Sequence, residues 1–122
     1  MTQPAAKAEK DIQSLLLRVI EHEVKMGIAE KVDARFGSSF QTRCHYWQKE
    51  IEKFWREIVE MNRTRSRRRG QFFSDDEIGQ WKQELTKQGI RLAVNRLMED
   101  LQGRGIEADA RWLSKVAEEL YD

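Results

Sequence analysis

The sequence predicts an all-α fold: a single domain over residues 1–122, with about five helices around one long central helix at about 39–62, assembled as a dimer. Three observations carry this expectation. Apolar residues recur at helical spacing almost throughout, no short window alternates as a half-buried strand does, and β-branched residues are sparse. The length of 122 residues suits one core. Charged residues reach 35%, above the roughly 25% of an average domain, yet 39% apolar residues with four Trp and five Phe still supply a core.

The first helix is expected to open near Pro4, whose missing N–H costs nothing in an opening turn. Its apolar positions are Ala8, Ile12, Leu15, Leu16, Val19, Ile20 and Val24. Gly27 interrupts them and Ile28, Val32 and Phe36 resume, giving either a kinked helix or two short ones. Gly37 follows as a left-handed C-cap.

Ser38 or Ser39 can cap the next helix. There, Phe40, Cys44, Trp47, Ile51, Phe54, Ile58 and Met61 follow spacings of four and three, the period of a coiled-coil seam. Trp55, Val59 and Tyr46 fall outside that seam, so the apolar face is too wide for a two-stranded coil and fits the centre of a bundle. Its rings are either all monomer core or partly surplus. In the second case Phe40, Trp47, Phe54, Trp55 and Ile58 form an oligomer or partner interface, most simply a two-fold one.

Residues 63–70 form a basic connecting segment. Beyond it, Ser74-Asp75-Asp76-Glu77 reads as a capping box, flanked by Phe73 and Ile78 as a hydrophobic staple. The helix it starts carries Ile78, Trp81 and Leu85 and is expected to end at Lys87-Gln88-Gly89. A fourth helix carries Ile90, Ala93, Val94, Leu97, Met98 and Leu101 up to Gly103. A fifth carries Ala110, Leu113, Val116, Ala117 and Leu120.

Several functions are disfavoured. One Cys permits no intramolecular disulfide, no apolar run approaches a membrane span, and residues 1–10 lack the apolar stretch of a secretory signal. A reducing, cytoplasmic location is the resulting expectation. His22 belongs to no HExxH or Glu-x-x-His motif. Cys44 and His45 are helical neighbours that point about 100° apart, too far to converge on a metal or to act as nucleophile and base. No phosphate-binding glycine loop occurs. The acids at 75–77 are explained by capping. No enzyme activity, cofactor, metal or small-molecule substrate is therefore expected.

The net charge of +1 is unevenly spread. Arg63, Arg65, Arg67, Arg68 and Arg69 stand together without an acid, while residues 71–122 carry seven basic and eleven acidic side chains. The Arg segment reads as a partner or nucleic-acid contact, against the plainer reading of a solvated charge run at a helix end. The last helix, taken alone, sets Arg111 and Lys115 against Glu118 and Glu119, a poor balance for a DNA-reading helix. The expectation is a small non-catalytic interaction protein (adaptor, accessory subunit or inhibitor). It self-associates and docks on a protein partner through the aromatic face of 40–61, with Arg63–Arg69 as electrostatic contact. The alternative is a small subunit of a nucleic-acid complex that contacts phosphates through Arg63–Arg69.

Overall fold

The computed structural model describes residues 3–64 and 70–121. They form α1 (Gln3–Phe36), a 3-10 turn (Phe40–Arg43), α2 (Cys44–Met61), α3 (Asp75–Gly103) and α4 (Ala110–Glu119). The all-α bundle is as expected, but the described residues form four helices: α1 is one helix rather than two short ones, and the expected helix end at Gly89 is absent. α1 runs through Gly27 and α3 through Gly89 because each glycine is a point of close packing. A Cβ at position 27 would lie 2.7 Å from Leu120 Cδ1. A Cβ at position 89 would meet Ile20 Cγ2 and lie 2.7 Å from Ile20 Cβ. Both glycines serve helix approach rather than helix termination.

The central helix also differs. α1, and not the 39–62 segment, packs closely against every other described helix, whereas α2 and α3 meet only through side chains. Ile12, Leu16, Val19, Val24, Ile28 and Val32 are fully buried along its length. The segment after it does not begin a helix at residue 39. Ser39 adopts a left-handed φ of 64°, and Asp33 near the end of α1 takes over the capping. Its carboxylate accepts hydrogen bonds from Ser38 Oγ (2.5 Å), Phe40 N (2.6 Å) and Gln41 N (2.8 Å). Burial opposes charge on Asp33, but these donors outweigh it and hold the carboxyl below its ordinary range. The turn drives Phe40 into the core, and Arg104 Nη1 locks it by donating to Ser38 O. α2 therefore spans only 18 residues.

The α3 start matches expectation. Ser74 Oγ accepts from Glu77 N at 3.1 Å, and Ser74 N donates to Glu77 Oε1 at 3.4 Å. Phe73 stacks edge-on against Trp81 at 4.7 Å. α4 is capped by Asp109, which accepts from Arg111 N.

The core has two storeys. The lower one joins Ala8, Ile12, Leu16 and Val19 of α1 to Ile51, Phe54 and Ile58 of α2 and Ile78 of α3. The upper one joins Ile20 to Val32 of α1 to Phe40, Trp47, the second half of α3 and α4. The starts of α1 and α3 thus share one storey and their ends the other, so these two helices run in the same sense. α2 runs against them, with His22 against Phe54 low down and Lys25 against Trp47 higher up.

Candidate functional site

The expected interface residues divide sharply. Phe40, Trp47, Phe54 and Ile58 are buried inside a single chain, at 0%, 4%, 6% and 2% exposure. Their rings are taken up by α1: Phe54 meets His22 and the Arg18 guanidinium, and Trp47 faces the Lys25 ammonium. They form no docking surface, because α1 supplies the second face that the sequence pattern left open. Trp55 is only half-buried. Arg63 is exposed and pairs with Glu60 at 3.4 Å. Arg65, Arg67, Arg68 and Arg69 lie outside the described residues.

One open cleft lies between the end of α2 and the start of α3. Trp55, Val59 and Arg63 face Asp75, Ile78 and Gly79 across a cleft of about 370 Å³. Val59 is 56% exposed, among the largest apolar exposures in the described chain. Lys82 stands 5.9 Å over the Trp55 ring and pairs with Glu23 of α1 at 2.9 Å.

Asn62 builds this mouth. It is 4% exposed, its Nδ2 donates to Phe73 O at 2.8 Å, and its Oδ1 accepts from Phe73 N at 2.9 Å. Phe72 N donates to Asn62 O at 2.8 Å. Thr64 N donates to Gly70 O, and Arg63 pairs with Gln71 as a short antiparallel bridge. The two ends of the basic segment are therefore drawn together beside the cleft. Sequence reasoning placed Asn62 only as a helix end. An Asn there, followed by a hydrophobic pair ten residues later, was the available signal, and it is a weak one.

A second polar feature lies at the waist between the storeys. Glu21, His22 and Lys25 of α1 are buried among apolar side chains. Lys25 Nζ lies 3.2 Å from Glu21 Oε1, and Arg96 of α3 reaches the same oxygen at 3.7 Å. Lys25 also sits 4.8 Å over the Trp47 ring. Burial lowers the Lys25 pKa, with Glu21 opposing. His22 Nδ1 has no hydrogen-bond partner among the described residues. Burial first, and the Lys25 charge second, lower the His22 pKa from 6.5 to about 4, so the ring is neutral at pH 7.

Burial and Asp33 raise the Cys44 pKa, which leaves the thiol protonated. Among the described residues no three His, Cys, Asp or Glu converge as metal ligands, and no helix is long and apolar enough to cross a membrane. Comparison of the chain with protein-family models, with curated proteins and with solved structures finds no match.

Proposed function

We propose that this is a non-catalytic helical interaction protein that works by protein–protein contact at the α2–α3 mouth, its first partner being a second copy of the chain. The observation that carries the reading is the set of apolar side chains left outside the core at one edge. Val59 is exposed beside the half-buried Trp55, along a cleft that a partner's side chain can fill. The charges on the two walls favour a two-fold contact. Arg63 stands on one wall and Asp75 on the other, so a copy turned through 180° sets Arg63 against Asp75 twice. Arg65, Arg67, Arg68 and Arg69 extend the basic side of that edge in the sequence. Light scattering over a concentration series tests this. The wild type is expected to dimerise, and Val59→Glu to remain monomeric with an unchanged circular dichroism spectrum. A wild type that stays monomeric throughout overturns the self-association.

A second reading rests on composition. Five Arg without an acid at 63–69 suit phosphate contacts in a nucleic-acid complex. Changing Arg65, Arg67, Arg68 and Arg69 to Ala should then weaken RNA or DNA binding and flatten its salt dependence. Unchanged affinity and slope exclude this role.

A further inference from the structure

Taken alone, α4 sets Arg111 and Lys115 against Glu118 and Glu119. Packing changes that sum, because α4 lies along the final turns of α1 and gains two cations from it. Lys31 and Arg35 of α1 and Lys115 of α4 line a groove of about 520 Å³, with Trp112 in its wall and Glu119 as its one lining acid. Glu119 meets Lys31 at 3.7 Å, but these side chains are 53% and 60% exposed, so the pair is weak and readily exchanged. Arg35 and Lys115 form no ion pair among the described residues.

Arg35 is held in place by aromatic rings. Its guanidinium carbon lies 4.5 Å over the Trp112 ring and 5.3 Å over the Phe36 ring, and those rings meet edge-to-face at 5.6 Å. A guanidinium over ring faces keeps its full charge and its N–H donors, and an arginine can give two of them to one phosphate. Less side-chain freedom is then lost on binding, because the stack already restricts the arginine. Lys31 and Arg35 are one helical turn apart, about 6 Å along the axis, and Lys115 faces them from α4. A row of cations at that spacing, beside a Trp, suits a ligand with successive phosphates and flat bases.

We propose that the α1–α4 groove binds the backbone of a single-stranded nucleic acid, with Arg35, Lys31 and Lys115 on its phosphates and Trp112 against a base. This site belongs to the upper storey, whereas Arg63 and the α2–α3 mouth belong to the lower one, and neither reading depends on the other. The test is fluorescence anisotropy of a labelled single-stranded oligonucleotide, titrated at several salt concentrations and with inorganic phosphate as competitor. Lys31→Glu with Lys115→Glu is expected to weaken binding about tenfold and to flatten the log–log salt slope by about 1.4, or 0.7 per lost contact. Lys31→Gln with Lys115→Gln, which introduces no repulsion, should give the same slope change. Arg35→Lys should weaken binding although the charge is kept. Each loss should persist when Arg65, Arg67, Arg68 and Arg69 are Ala. The proposal is overturned by a wild type that binds no strand at low salt, by lysine variants that bind as the wild type does, or by inorganic phosphate displacing the strand at equal phosphate concentration, which would mark a small-anion site.

Discussion

Three helical glycines of this chain should respond to alanine in three different ways. Gly79, Gly27 and Gly89 all lie inside helices, where alanine is favoured by about 1 kcal/mol. At Gly79 a Cβ meets nothing within 4 Å, so the full gain should appear, raising Tm by about 4 °C in a domain of this size. At Gly27 the new methyl meets Leu120 Cδ1, the end of a side chain that is 46% exposed and free to turn away, so the gain should be mostly cancelled. At Gly89 it meets Ile20 Cγ2 and Cβ, and a Cβ cannot swing aside without moving α1. Overpacking of that kind costs about 1–3 kcal/mol. Set against the propensity gain, and with contact at the branch point of Ile20 at the costly end, Gly89→Ala should lose about 1–2 kcal/mol and lower Tm by about 4–8 °C. Thermal and urea melts followed by circular dichroism give all three values. Ile20→Ala, costly alone, should cost less in the Gly89→Ala background. If Gly89→Ala proves as stable as Gly79→Ala, the α1–α3 approach described above is wrong.

The other predictions concern the buried polar groups. The His22 pKa is about 4 in the fold against 6.5 unfolded, so the unfolded chain binds more protons between those values. Stability should be full above pH 6.5 and fall by about 3 kcal/mol as pH drops to 4; urea midpoints across that range should show the slope, and His22→Leu should remove its share. Lys25→Ala leaves Glu21 buried with only the longer Arg96 contact and should cost about 3–5 kcal/mol, whereas Lys25→Met with Glu21→Gln should cost much less, as a double-mutant cycle will show. Asn62→Ala removes both hydrogen bonds to Phe73 and should cost about 2–4 kcal/mol by urea denaturation, at about 1–2 per buried group left unpaired. Amide exchange should rise first at Phe73 in that variant, and a uniform rise throughout the chain would deny Asn62 its local role.

Local signals were read well from the sequence and distant ones poorly. The Ser74–Glu77 box, the left-handed Gly37 and the α4 segment are each set within a few residues, and each stands where expected. Propensity is local, so Gly27 suggests a kink or a break and Gly89 a helix end, while the side chains that pack on them, Leu120 and Ile20, are 93 and 69 residues away in the chain. Phe40 fitted the α2 seam by spacing alone. Its true capping group, Asp33, lies in the preceding helix, where an Asp before the Gly37 stop gave no warning of reaching forward. The docking candidates show the same gap: Trp55, outside the seam, stays partly open, whereas Phe54, within it, is buried by α1, a distant partner that spacing alone does not name.

The choice of hub shows why periodicity misled. α2 packs chiefly against α1, so its apolar residues form a clean stripe and its pattern stands out. α1 is touched by α2, α3 and α4, so its apolar residues spread around the helix and the pattern blurs. The helix with the sharper stripe is then the peripheral one. The polar waist follows from the same arrangement. A helix enclosed on several sides has no solvent face for Glu21, His22 and Lys25, so these groups must be answered by other helices: Arg96 for Glu21, the Trp47 ring for Lys25, the Phe54 ring for His22. A slip of α1 by one turn would strand Glu21 without Arg96 and Lys25 without Trp47, leaving buried charges unpaired at several kcal/mol each. The waist therefore adds little to overall stability, but it penalises every other register of a hub whose apolar surface alone would tolerate several.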